Sequence, residues 1–213
     1  MKKIRLIIPY FGKLPKFFPY FLLTAKRNQK IDFLIYTDQN VDQLEILNAE
    51  NIEFKTLSFD DLRKKVQSKF DFEISLKTPY KLCDYKVAYG FIFEEELKGY
   101  DYWGFCDTDV LLGDIYQFLE EHSFFENDYA RYGLLGHLQI FKNSQEVNHV
   151  FMSGQGLNYR LDYHNVFTSE QILFLMRQKV FKNCLKNLVL NNYKISFLMI
   201  LISAIFHSRI WRR

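Results

Sequence analysis

Short apolar runs alternate with longer amphipathic stretches up to about Phe141, the pattern of an α/β domain with a mainly parallel sheet. Ile4 to Tyr10 reads as the first strand, and Pro15 to Arg27 as a helix after a loop carrying Gly12. Asp32 to Thr37, DFLIYT, is the second strand and ends at Asp38; Ile52 to Leu57 is the third. Ser58 caps a helix over Phe59 to Phe70, with Asp60 and Asp61 in the first turn, where the helix dipole favours negative charge. Thr78 and Pro79 mark the next helix start, because Thr caps and Pro loses nothing at the first helical position. That helix is predicted to run to about Leu97. It buries Leu82, Tyr85, Tyr89, Ile92 and Phe93, and carries Lys81, Asp84 and Ala88 on another face. YDYWGFC then reads as a buried strand, Gly113 and Asp114 as a turn, and Ile115 to Glu121 as a short helix. Arg131 to Phe141 reads as a strand or hairpin arm containing Gly133 and Gly136.

Composition narrows what such a domain does. With 48% hydrophobic and 18% aromatic residues in 213, the chain buries a substantial core. A net charge of +3 does not call for a nucleic-acid partner. Cys83, Cys106 and Cys184 are odd in number and lack ligand spacing, which argues against a disulfide framework and a zinc site and for a reducing compartment. The opening MKKIRLIIPYF contains Pro9 and no small-residue cleavage site, so it reads as a strand and not as a signal peptide.

The candidate chemistry lies in GYDYWGFCDTDVLLGDI. Asp107 and Asp109 follow a buried strand, where open parallel sheets bind ligands beyond their carboxyl ends. Residues two apart on an extended chain share a face, so both carboxylates reach one hard cation, Mg2+ or Mn2+. The plain alternative is a solvated turn in which Asp109 caps the next element.

YKLCDYKVAYGFIF and GYDYWGFCDTDVLLGDI, with the opening IRLIIPYFGKLPKFFPYFLLTAKRN and IDFLIYTDQ, resemble a family of small bacterial glycosyltransferase-like proteins of polysaccharide biosynthesis. Those proteins have the GT-A fold, and the resemblance covers roughly Lys3 to Phe151. It implies a single Rossmann-like nucleotide-binding domain in which Asp109 is the principal metal ligand and Asp107 shares the metal or touches the ribose. It also implies a donor pocket formed by Pro9, Tyr10, Phe11, Asp38, Lys81, Asp84 and Lys86, with Gly136 and His137 beside the donor sugar. On the residues alone, Lys81 and Asp84 are an exposed i,i+3 pair and His137 a core histidine. The implied partners are a nucleotide-sugar donor, UDP-linked by resemblance, and a glycan or lipid-linked glycan acceptor.

After about Arg160 the resemblance ends, which divides the chain into a domain over residues 1–160 and a basic helical tail over 161–213. Beyond Asp162 a single acid, Glu170, faces Arg177, Lys179, Lys182, Lys186, Lys194 and three late arginines. Asp162, His164 and Glu170 are the only nearby groups for a closing segment, and no catalytic residue is identifiable. About 14 uncharged residues from Ile195 to Ser208 are too short to span a bilayer. With Trp211 and flanking arginines they suit an interfacial helix at the inner face of the plasma membrane. The expectation is a cytoplasmic, metal-dependent glycosyltransferase of surface polysaccharide biosynthesis. Two rivals are a catalytically incomplete binding or scaffold protein and a haloacid-dehalogenase-like phosphatase, whose motif wants Thr or Val where Leu111 stands.

Overall fold

A computed structural model describes residues 1–42, 49–133, 136–153 and 162–173. The strands are β1 (Ile4–Pro9), β2 (Ile31–Thr37), β3 (Ile52–Thr56), β4 (Tyr102–Cys106), β5 (Arg131–Tyr132) and β6 (Leu138–Lys142). They form one sheet in the order β3-β2-β1-β4-β6-β5. The first four run parallel, while β6 pairs antiparallel with both β4 and β5. The predicted arm over 131–141 is therefore a hairpin with a short outer strand. The helices are α1 (Phe18–Arg27), α2 (Phe59–Gln67), α3 (Leu82–Tyr85), α4 (Tyr89–Ile92), α5 (Ile115–Glu121), α6 (Gln145–Asn148) and α7 (Tyr163–Thr168).

Period-two alternation along the strands divides the interior into two layers. Ile4, Leu6, Ile8, Tyr102 and Cys106 point to the face covered by α1 and α5. Ile7, Leu34, Trp103 and Phe105 point to the face covered by α2 and the helical segment after Pro79. Gly104 lies between these pairs, and its missing side chain lets β6 approach: a Cβ there would lie 2.3 Å from the Gln139 carbonyl.

Ser58 caps as read, its Oγ accepting from the Asp61 amide, and Asp114, read as a turn residue, also caps, a carboxylate oxygen accepting from the Gln117 amide; the Thr78 side chain makes no cap hydrogen bond. The long helix expected from Pro79 does not form. The segment is 3-10 at Pro79–Lys81, α at α3, 3-10 at Lys86–Ala88 and α again at α4. Leu82, Tyr85, Tyr89, Ile92 and Phe93 are buried as expected, but Lys81, Asp84 and Ala88 are buried too. The cause is a second cover. Residues 162–173 pack on that side, with the Phe167 ring stacked on Tyr85 at 4.2 Å and the Phe167 carbonyl accepting from the Ser75 amide and the Tyr85 hydroxyl.

Among the described residues no helix is long and apolar enough to cross a membrane. The interfacial helix expected over 195–208 lies outside the described residues.

Candidate metal and nucleotide site

Strand order reverses between β1 and β4: β2 and β3 continue on one side of β1, β4 and β6 on the other. Such a switch point opens a crevice beyond the carboxyl ends of the two central strands. Tyr10 to Gly12 leave β1 there, and Asp107 to Asp109 leave β4.

Asp107 is held on three sides. Its amide donates to the His137 carbonyl at 2.7 Å, which extends the β4–β6 ladder one step beyond the Cys106–Leu138 pair. One carboxylate oxygen accepts from Lys86 Nζ at 2.6 Å, and the other lies 2.9 Å from His137 Nδ1. Lys86 stands over the Phe105 ring at 4.9 Å, an added attraction for its charge. Asp109 is exposed and, among the described residues, has no hydrogen-bond or ion-pair partner. One ligand atom from each of Asp107, Asp109 and His137 lies within 4.8 Å of the others. Two carboxylates and an imidazole suit Mn2+ or Mg2+, so the residues present fit a divalent cation.

The β1 side completes the crevice. Burial, and then the charge of Asp109, push the Tyr10 hydroxyl above its ordinary pKa. Gly12 adopts φ +91°, a conformation that favours glycine, and its amide donates to Asp38 at 2.8 Å. Burial pulls the Asp38 carboxyl upward, but hydrogen bonds from the Gln39 side chain and the Gly12 amide outweigh it and hold the pKa low. Phe11 is buried, edge-on to Phe59 at 5.4 Å, so its ring belongs to the core. Pro9 ends β1, half-buried. Gly136 borders open space, with nothing within 4 Å of a Cβ built on it, and its carbonyl lies 3.5 Å from Lys86 Nζ.

Lys81 and Asp84 are placed elsewhere. Lys81 Nζ donates to Asp84 at 2.9 Å and to the Val166 carbonyl at 3.0 Å, and also bonds the Gln171 carbonyl. Asp84 is fully buried and accepts from the Leu173 amide at 3.0 Å. Protein groups thus occupy the polar atoms of this pair, and it fastens residues 162–173. Asp162 caps α7 through the Asn165 amide, and Glu170 pairs with Lys77 on the surface. Cys106 is buried, which pushes its thiol pKa far up and leaves it inert.

The grouping of Lys86, Asp107 and His137 was not foreseen as a unit. The signal for it is the β4–β6 register, which places residue 137 opposite residue 107 once Cys106 faces Leu138.

Residues 6–201 match a family of unknown function, DUF6625. The chain belongs to this family. The DUF6625 match runs without a break through the region where the resemblance to glycosyltransferases ends. No curated protein and no solved structure matches the chain.

Proposed function

We propose that this DUF6625 protein is a metal-dependent glycosyltransferase of GT-A type. It takes a sugar from a nucleotide-sugar donor, UDP-linked, and passes it to a glycan or lipid-linked glycan acceptor in surface polysaccharide biosynthesis at the cytoplasmic face of the membrane. The observation that carries this reading is the convergence of Asp107, Asp109 and His137 at the carboxyl end of β4, across the switch point from Tyr10 and Asp38. Asp109, His137 and one oxygen of Asp107 would hold the cation. A divalent cation there would supply Lewis-acid stabilisation of the departing nucleoside diphosphate. Lys86 neutralises part of the carboxylate charge and lies where a phosphate oxygen could replace Asp107 as its partner. The Gly12 loop, tied to Asp38, shapes the side of the crevice nearest β1.

The test is a thermal-shift panel of nucleotide sugars with and without Mn2+, since a ligand that binds the native state raises its melting temperature by mass action. The reading expects a shift for one nucleoside diphosphate family only when metal is present. Equal shifts with and without metal, or none for any donor, would overturn it. A labelled donor added to the same protein with a lipid extract of the host as acceptor then separates turnover from binding: labelled lipid or released sugar indicates transfer chemistry, and nucleotide binding without any labelled product indicates a binding protein.

A further inference from the structure

The outer face of α1 serves neither the core nor the site. Its inner side chains Phe18, Phe21, Leu22 and Ala25 are buried against the sheet. Phe17, Tyr20 and Leu23 emerge on the other side at three-residue steps, 46%, 61% and 42% exposed. Three-residue steps keep them in one stripe. Leu111, 55% exposed, comes from the loop that carries Asp109. That loop is tied to the same helix: the Leu112 amide donates to Thr24 Oγ1 at 3.1 Å, and the Gly113 carbonyl accepts from the Asn28 side chain at 2.9 Å. Large apolar side chains exposed together mark an interaction surface.

Charge identifies the partner. No acidic residue lies in α1 or before it in the chain; the exposed carboxylates of the adjoining loop are Asp109 and Asp114. Lys13 and Lys16 precede the stripe, Lys26 and Arg27 follow it in the last turn, and none of the four is in an ion pair among the described residues. A second copy docking helix to helix through α1 would set the cations of one α1 against those of the other. Rings and aliphatic side chains rimmed by lysine and arginine match instead the interface of an anionic bilayer, with the apolar groups at headgroup depth and the cations at lipid phosphates.

We propose that the outer face of α1, with Leu111, docks the protein on an anionic phospholipid membrane. This surface is distinct from the apolar stretch over 195–208. Docking stands without the proposed function; only its corollary, that the Asp109 loop then faces a lipid-borne acceptor, rests on that reading.

Co-sedimentation of the full chain with phosphatidylglycerol-containing vesicles and with pure phosphatidylcholine vesicles tests the proposal. Wild type is expected to bind the anionic vesicles alone and to be released by high salt. Tyr20→Ser/Leu23→Ser is expected to bind at least about tenfold more weakly. It should do so at unchanged elution volume and unchanged Mn2+-dependent nucleotide affinity. Lys16→Glu/Arg27→Glu should show the same loss with the stripe intact. Wild type that binds neither vesicle or both equally would overturn the proposal, as would a serine variant that binds as tightly as wild type. So would a serine variant that turns a wild-type dimer into a monomer without changing vesicle binding. Vesicle binding as expected in a protein with no nucleotide affinity would leave docking standing and remove the glycosyltransferase reading.

Discussion

Asp107 enters the crevice with both oxygens engaged, one by Lys86 and one by His137, whereas Asp109 stands exposed. A cation arriving there competes with the Lys86 ammonium for Asp107. Removing that ammonium favours the metal by about 1 kcal/mol, the scale of a partly exposed ion pair. Lys86→Gln is therefore expected to tighten Mn2+ binding about fivefold in a titration without nucleotide. Unchanged or weaker binding would mean that Lys86 orients the carboxylate and does not compete for it. Both aspartates were legible in the sequence, because a buried aromatic strand leads straight into them. The pairing of Lys86 and His137 with Asp107 was not: they are 21 and 30 positions from it, and only the folded register brings them together.

At the level of elements, the signals that worked were those whose causes are local. The strands IRLIIP and YWGFC, the Ser58 cap and the short helix over Ile115–Glu121 depend on near neighbours, and each forms where it was read. The segment from Pro79 to Leu97 failed as one helix because its surroundings are not local. Gly90 admits the Trp103 indole where a Cβ would lie 2.5 Å from it, and residues 162–173 cover the side that looked exposed. The antiparallel β6 was hidden for the same reason, since its pairing with β4 spans the α5 and β5 region. Gly104 gives this packing a measurable consequence. In Gly104→Ala the new methyl meets the Gln139 carbonyl at 2.3 Å and a Leu6 methyl at 2.7 Å, so a loss of about 3 kcal/mol is expected in urea denaturation. Gly136→Ala, with nothing within 4 Å of its Cβ, is expected to stay within about 0.5 kcal/mol of wild type. Equal effects at the two positions would contradict the close approach of β6 to β4.

Across the whole molecule, the buried Lys81–Asp84 pair joins the helical layer to residues 162–173 and so decides whether that cover stays in place. Breaking one partner leaves a charge with no solvent, which costs about 3–5 kcal/mol, whereas replacing both with apolar groups is far milder. Lys81→Met is expected to lose that amount and to become cleavable by protease within 162–173. Lys81→Met/Asp84→Leu should recover most of the stability. A single variant as stable as wild type would show that the pair does not fasten the segment. The central proposal concerns the carboxyl end of β4, where Asp107 and Asp109 would hold a cation that engages a nucleoside diphosphate. Asp109→Asn keeps the size and most hydrogen bonding of the side chain but removes the charge that a metal requires. The decisive measurement is calorimetric titration of UDP into wild type and Asp109→Asn, with and without Mn2+, with folding checked by circular dichroism. Metal-dependent binding by wild type, lost in a folded Asp109→Asn, is the expected result. A folded variant that binds Mn2+ and UDP as tightly as wild type would contradict the assignment.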